Sequence, residues 1–535
     1  MFEMNKRKLS IILLGVLCLG FSACELEVEP TDSYDQETFW YGAKTAKAGL
    51  TGCYAGLKDN AGPLYGNASV LWEECASPNA YNYDNRLGWN SIALGTHTAD
   101  ISVVTNRWKS AYTGIGRCNL LLANMDKNRE LSPDEIVQMK AQARFLRALY
   151  YQVLITYYDK VPFITDAPAV DQGTLARTDR AEIVSFLITE LNEVAGILPV
   201  RYTASTDQGR ATRGAALALK ARLLLYEASP LFNTANDGEK WKQAADAAKA
   251  VMDLGQYSLY ASYRGLFSQT AENSTESIFN VEFMDEPNMG SSLDITLRQF
   301  NNAAPLRDLI DAYWMLDGKP RAVSIYQNAS DYENLDPRFK QTIVYPGATF
   351  MGETVKTDGT NVNFKVIQTG YTFKKYTIYD AGAASAYDAA LGEYRSPINY
   401  MVLRYADILL MYAEAKNELG ELTEDVWNST IKVIRQRAGF TAATALNYPG
   451  NDATVLQQHI RYERRIEFAG EGYYYNDIRR WKIAETVLNG PIKKFDGTTI
   501  INRTFNPNRD YWWPVPSTQI EQNPNLRPNN PGWGN

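Results

Sequence analysis

The sequence predicts a mostly α-helical protein, built from antiparallel helix pairs and interrupted by long loops with a few small β-hairpins. Three observations carry that prediction. Ile136, Met139, Ala143, Leu146, Tyr150, Val153 and Tyr157 recur at alternating steps of three and four, which draws one apolar stripe along a single long helix. The run Trp241-x-x-Ala244-Ala245-x-x-Ala248 has the first-helix spacing of a tetratricopeptide repeat. Between residues 256 and 400 helical spacing lapses, and short alternating runs such as Ile278 to Phe283 and Tyr371 to Tyr376 sit among Gly, Asn, Asp and Pro clusters. With 45% hydrophobic and 21% charged residues, the 535-residue chain has a globular composition, not that of a disordered, collagenous or multi-pass membrane protein.

At the N-terminus, Lys6, Arg7 and Lys8 precede an apolar run from Leu9 to Phe21. That run is too short to span a bilayer and has the form of a signal h-region. Small residues then lead into a cysteine, Phe21-Ser22-Ala23-Cys24, as in the lipobox of bacterial lipoproteins. We therefore expect residues 1–23 to be removed and Cys24 to carry the lipid, a multiply acylated anchor that holds the protein on a membrane by itself. Residues 24–36 are acidic, contain Pro30 and lack apolar helical spacing, which suits an extended tether. Once Cys18 and Cys24 are set aside, Cys53, Cys75 and Cys118 remain. Three cysteines do not make a disulfide framework, and they read as small buried side chains.

Residues 37–535 read as one domain, with a helical scaffold over about 37–255 and 400–490, a loop-rich ligand-side insertion over about 256–400 and an irregular segment from 490 to 535. Ser132-Pro133-Asp134-Glu135 is a capping box with proline at the first helical position, and the helix it opens runs to Tyr158. A second helix starts at Asp179-x-x-Glu182 and buries Ile183, Phe186, Leu187, Leu191 and Val194 before Pro199. A third, from Thr212 to Ala228, is rich in alanine (Ala215, Ala216, Ala218, Ala221), so a neighbouring helix can approach closely and the helix belongs in the centre. Gly255 closes the Trp241 helix at C′. Pairing 181–198 with 212–228, and 403–419 with 424–437, gives a tetratricopeptide-like stack.

Charge and composition exclude several chemistries. With 54 Lys+Arg against 61 Asp+Glu, no basic face is available for nucleic acid. His97 and His459 are the two histidines, too few for a multi-His metal site. No Gly-rich phosphate loop, Cys-x-x-Cys pair or nucleophile elbow occurs, and no cofactor or metal is expected. Arg404, Asp407 and Glu414 share one face of a helix, and we read Arg404–Asp407 as a buried i,i+3 pair that fixes docking. Arg464–Glu467 reads the same way, within a structural ion-pair network that also takes in Arg479 and Arg480.

The segment from Leu71 to Trp108 differs, because aromatics and amides are interleaved there without helical periodicity. Trp72, Asn79, Tyr81, Tyr83, Asp84, Arg86, Trp89 and Asn90 are its candidate ligand contacts. Ring faces suit the C–H surfaces of sugars while amides and charges pair with hydroxyls, so the mixture fits a carbohydrate platform. A second such loop, Phe283 to Asn302, supplies Arg298 and Phe300 as an opposite rim. The carboxylates leave two other readings open, a surface glycoside hydrolase, which needs no histidine, and a peptide binder.

An ordered set of motifs then runs through the chain. They are Ala141-x-Ala143-Arg144-Phe145-Leu146-Arg147-Ala148 ending in Tyr157-Tyr158-Asp159-Lys160-Val161-Pro162, Gly214-Ala215-Ala216-Leu217-Ala218-Leu219-Lys220-Ala221-Arg222, and Leu403-Arg404-Tyr405-Ala406-Asp407. Glu463-Arg464-Arg465, Asp477-Ile478-Arg479-Arg480-Trp481, Trp513-Pro514-Val515-Pro516, Asn523-Pro524-Asn525-Leu526 and Asn530-Pro531-Gly532-Trp533 follow. With the lipobox, the set resembles the SusD/RagB family of Bacteroidetes surface lipoproteins. The resemblance implies a helical tetratricopeptide-like fold and capture of nutrients, mostly oligosaccharides and in some members peptides, without turnover. It also implies a lid-like partnership with a SusC-like TonB-dependent outer-membrane transporter. The shared motifs are scaffold, and no ligand residue carries over from them.

Overall fold

The computed structural model describes residues 38–58, 64–85, 88–286, 289–377 and 396–534. Cys24, the signal and tether segments and Arg86 lie outside these residues. Eight of the described helices have 13 or more residues. They are α1 (Ala43–Ala55), α2 (Ser102–Asn124), α3 (Pro133–Tyr158), α4 (Arg180–Ile197), α5 (Arg213–Ala228), α6 (Gly238–Asp253), α7 (Tyr405–Glu418) and α8 (Ala453–Glu467). Each packs on the next in chain order, including α6 on α7 across the long insertion. This is the expected stack of neighbouring helices, with one run of residues looped out between its sixth and seventh members.

Local chemistry sets the helix starts. Ser132 Oγ accepts from Glu135 N at 3.3 Å while Glu135 Oε2 accepts from Ser132 N at 3.0 Å, closing the capping box. Thr212 caps α5 by accepting from Ala215 N at 3.2 Å. Asp179 makes no cap bond on α4, and its carboxylate pairs with Lys160 instead. On α6, Trp241, Ala244, Ala245 and Ala248 are buried, and α5 is packed by α4, α6 and α7, as its alanines require. The start predicted for α7 at Leu403 is too early. Strand β4 (Tyr400–Arg404) runs up to the helix and pairs antiparallel with β2 (Ser277–Val281), with Val281 opposite Tyr400 and Ser277 opposite Arg404. Backbone pairing thus closes the neck of the insertion and overrides the helical pattern of residues 403 and 404.

Arg404, Asp407, Glu414, Arg464 and Glu467 are buried, but both predicted i,i+3 pairs are corrected. Arg404 bonds Glu276, Glu467 and Glu471 at 2.8–2.9 Å, whereas Asp407 bonds Arg222 at 2.8 Å and Arg464 at 3.0 Å. Arg404 ends a strand, so its side chain is not on the helical face that carries Asp407. Glu467 serves Arg338, Arg404 and Arg437, while Arg464 serves Asp407 and Asp477. Two networks result. One joins Arg338, Lys375, Arg404, Arg435 and Arg437 to Glu276, Asp336, Glu463, Glu467 and Glu471. The other joins Arg222, Arg464 and Arg480 to Asp407, Glu414 and Asp477. Cations and carboxylates balance in each, which makes full burial tolerable.

The C-terminal segment is part of the scaffold. Trp513 is fully buried and meets Trp89, Tyr157 and Tyr158 with ring centroids 4.5–6.0 Å apart. Asn530 Nδ2 donates to the carbonyls of Tyr158 and Trp513 at 2.9 and 2.7 Å. Cys53, Cys75 and Cys118 are buried free thiols. No helix among the described residues is long and apolar enough to cross a membrane.

Candidate functional site

Two loops meet on one side of the stack. The first follows the short helix Ser69–Glu74, which carries Trp72, and runs through β1 (Ala80–Tyr81) to Tyr83. Its path is fixed from beneath. The buried Arg503 guanidinium donates to three backbone carbonyls, those of Ser77 at 2.6 Å, Cys75 at 3.0 Å and Ala80 at 2.9 Å. Burial lowers the Arg503 pKa to about 10, against the opposing pull of neighbours that include Asp308. Asn79 is a second pin. Its Nδ2 donates to Glu74 Oε1 at 2.5 Å, its Oδ1 accepts from Arg465 Nε at 2.8 Å and its carbonyl accepts from Leu306 N at 2.9 Å. Burial pushes the Glu74 carboxyl up to about 7 against the bonds from Asn79 and the Gly472 backbone.

The second loop contains a π-helical turn, Thr296–Phe300, that ends at Asn301 in the left-handed region, φ +47°. Thr372 Oγ1 donates to the Leu297 carbonyl at 2.7 Å and Lys365 N to the Arg298 carbonyl at 2.8 Å. The Arg298 side chain donates to Asp294 Oδ2 and the Asn363 carbonyl, both at 3.1 Å. The loops are joined by pairing of β1 with β3 (Ala304–Pro305), Ala80 opposite Pro305 and Tyr81 opposite Ala304. Side chains add two links, Tyr83 OH donating to the Phe300 carbonyl at 3.1 Å and Trp72 Nε1 to Asn302 Oδ1 at 3.4 Å.

The structure divides the predicted contacts. Tyr83 is 41% exposed and Phe300 40%; Trp72 and Tyr81 are half-buried beside them, and Asp84 is half-buried in a turn where its N–H donates to Asn82 Oδ1 at 2.7 Å. Asn90 is half-buried on the helix Trp89–Leu94. Three candidates are corrected to scaffold. Trp89 is buried edge-on against Trp513 at 5.6 Å and lies 5.2 Å from the Arg107 guanidinium. Asn79 and Arg298 are buried, and the hydrogen bonds of the Asn79 amide and of Arg298 Nε and Nη1 hold the two loops. Trp108, at the far end of the first segment, is also buried, edge-on against Tyr158 at 5.0 Å. The segment also contains short helices, so its missing periodicity reflects several short elements and not one long loop. Met284 and Met289, exposed on the second loop, were not foreseen; a lone Met in a polar loop carries no periodic signal.

The result is a pair of loops tied by backbone pairing that carries four partly or largely exposed rings, Trp72, Tyr81, Tyr83 and Phe300, with amides and carbonyls beside them. It offers apolar faces and hydrogen-bonding rims, the two things a flat hydroxylated ligand needs.

Two family models cover most of the chain. One, described as the SusD family, matches residues 238–533, and one described as starch-binding associating with the outer membrane matches residues 26–225. SusD-like protein P25 of Formosa agariphila is 24% identical, with 97% of each chain covered. SusD-like protein P2 of the same organism is 27% identical over 99% of this chain and 100% of that protein. Among solved structures, a SusD-like carbohydrate-binding protein from Bacteroides fragilis is 27% identical and superposes with a TM-score of 0.78, covering 92% of this chain and 100% of that one. A laminarin-binding SusD-like protein, 22% identical, shares the fold with a TM-score of 0.70 over 92% of this chain and 100% of that one. With a family model matching more than half its length and a fold built on the same scaffold motifs, this chain belongs to the SusD family.

Proposed function

We propose that the protein is a cell-surface, lipid-anchored binder of oligosaccharide or polysaccharide that holds its ligand on the Trp72–Tyr81–Tyr83–Phe300 platform. It delivers that ligand, unmodified, to a SusC-like TonB-dependent transporter. The observation that carries this reading is that Tyr83 and Phe300, two residues with exposed rings from distant parts of the chain, are joined by a hydrogen bond from the Tyr83 hydroxyl to the Phe300 backbone carbonyl, beside the pairing of β1 with β3. Support for the ligand class comes from the carbohydrate-binding description of the Bacteroides fragilis protein. Support for the membrane address comes from the outer-membrane description of the second family model and from the lipobox at Cys24.

Binding without turnover fits the carboxylates of the central networks. Burial raises the Asp407 and Glu414 pKa values, but Arg222, Arg464 and Arg480 more than offset it and hold both carboxyls below their usual range. A general acid needs the opposite shift; buried Glu74 shows it, but its two oxygens are engaged in the scaffold, Oε1 by Asn79 Nδ2 at 2.5 Å and Oε2 by Gly472 N at 2.8 Å.

Tyr83→Ala and Phe300→Ala test the site. Each loses a stacking face worth about 0.5–1.5 kcal/mol beyond area burial, so each weakens a glycan found by array screening by roughly tenfold, and the pair abolishes retention on a glycan column. Unchanged affinity in both variants removes the platform. Prolonged incubation with the bound glycan leaves its reducing ends unchanged; new ends overturn the binding-only reading. Co-extraction of a large β-barrel with the native protein tests the partner.

A further inference from the structure

A second recess, which shares no residue with the platform, lies where the loop leading into α5 meets the start of β2. Its volume is about 130 Å³, and Tyr202, Gln208, Gln256, Tyr257, Ser274 and Asn280 are among its lining residues. Its walls are built in. Tyr257 packs where a Cβ on Gly214 would lie 2.0 Å from its hydroxyl, and that hydroxyl is 3.4 Å from Thr212 Oγ1, the cap of α5. Tyr202 OH donates to the Ala211 carbonyl at 3.2 Å. Gly209, at φ +79°, gives way to the Glu282 side chain, which a Cβ would meet at 2.5 Å.

Beneath these walls is a row of amides with spare capacity. Buried Asn280 accepts from Ser277 Oγ and donates from Nδ2 to Asn273 Oδ1 at 3.2 Å. Asn273 Nδ2 donates in turn to Glu282 Oε1 at 2.8 Å. A carboxamide has two N–H donors and two lone pairs, so Asn280 and Asn273 each keep one donor and one acceptor site. Ser274 Oγ is shielded from solvent and has no hydrogen-bond partner among the described residues. No carboxylate lines the recess among these residues, and the Arg210 guanidinium on its wall is held by Asp207 at 2.8 Å.

We infer that this recess is a second ligand site, which takes one hydroxylated pyranose ring. A pocket for a drug-sized molecule encloses about 300–1,000 Å³; this one is the size of a single ring, and tyrosine walls over a floor of paired amides suit vicinal hydroxyls, which both donate and accept. With the platform it gives the protein two separate points of attachment to sugar, and a long chain that reached both would be held by avidity.

The test uses the mature full-length protein and saturation-transfer NMR with free glucose, galactose, mannose, xylose and glucuronic acid. Gln208 and Gln256 are exposed at the rim, so the double variant Gln208→Ala/Gln256→Ala leaves the fold intact, as a melting curve checks. At least one sugar of the panel receives saturation from the wild type and from the platform variant Tyr83→Ala/Phe300→Ala, and the signal drops to background when the rim substitutions are added to the platform variant; a signal that persists in that combined variant overturns the inference. Absence of transfer to every sugar overturns the inference. So does a signal that survives in the rim variant and vanishes in the platform variant, which places the sugar on the platform and leaves the platform reading standing.

Discussion

Tyr83 and Trp89 are six positions apart in one aromatic segment and have opposite roles. The difference is what lies opposite each ring: solvent and the Phe300 carbonyl for Tyr83, Trp513 and Arg107 for Trp89. Trp89→Ala therefore acts on folding, costing about 3–5 kcal/mol of stability in denaturant titration, while any folded fraction binds glycan with wild-type affinity. The two histidines obey the same logic of burial. Loss of water lowers His97 to about 4, and burial with repulsion from Arg435 lowers His459 to about 3. Unfolded histidine titrates near about 6.5, so between these values the unfolded chain binds more protons than the folded one. This part of the stability is complete above about pH 6.5 and is lost as pH falls toward the folded values. Proton NMR of the imidazoles should stay flat from pH 7 to about 5; a titration near 6.5 in either one contradicts its burial.

At the scale of elements, bare backbone positions set how closely the helices pack. Tyr150 of α3 is fully buried and donates to the Cys53 carbonyl of α1 at 2.7 Å. Its ring rests on Gly114 of α2, where an added Cβ would fall 2.3 Å from a ring carbon. Gly114→Ala forces a tightly packed three-helix joint apart and should cost about 1–3 kcal/mol. Measured by chemical denaturation with Tyr150→Ala as the second mutation, the two losses should be strongly non-additive, because the first clash disappears when the ring does. Simple additivity means that the glycine is not the seat of the ring. The same device recurs at Gly214 and Tyr257, so one principle shapes both the joint between helices and the wall of the second recess.

For the molecule as a whole, the larger charge network is the seam that ties the insertion to the stack. Arg404 ends β4 and Glu276 precedes β2, Arg338 and Lys375 come from the insertion, and Glu463, Glu467 and Glu471 come from α8 and the chain after it. Removing one cation strands several buried carboxylates. Arg404→Met should therefore destabilise by about 3–5 kcal/mol, read as a lower denaturation midpoint. Because the pairs are buried, raising salt to about 1 M, which screens surface pairs within a few ångströms, should leave the wild-type midpoint nearly unchanged. Burial raises the Glu467 pKa, but Arg437, Arg404, Arg338 and Lys375 together hold it well below the usual carboxylate range. Its contribution is present above the unfolded value near 4.3 and is lost as pH falls below it, a window more acidic than that of the histidines.

Much of this was written into the chain locally. The stripe from Ile136 to Tyr157, the capping box at Ser132, the alanines of α5 and the Trp241 pattern determined the helices, because a helix is specified by neighbours three and four residues apart. The motif set determined the family, and the aromatic and amide composition of two segments singled out the loops that meet. What the sequence left undetermined is everything that depends on a partner far along the chain. Arg404 was assigned to Asp407 by spacing, and only the pairing of β4 with β2 turned it toward Glu276, Glu467 and Glu471. Trp72, Tyr83 and Trp89 look alike in sequence, and Asn79 looks like a ligand group; the C-terminal Trp513, Arg503 and Arg465 decided that Trp89 and Asn79 are scaffold. Burial is a property of what covers a residue, and in this protein the covering groups come from the opposite end of the chain.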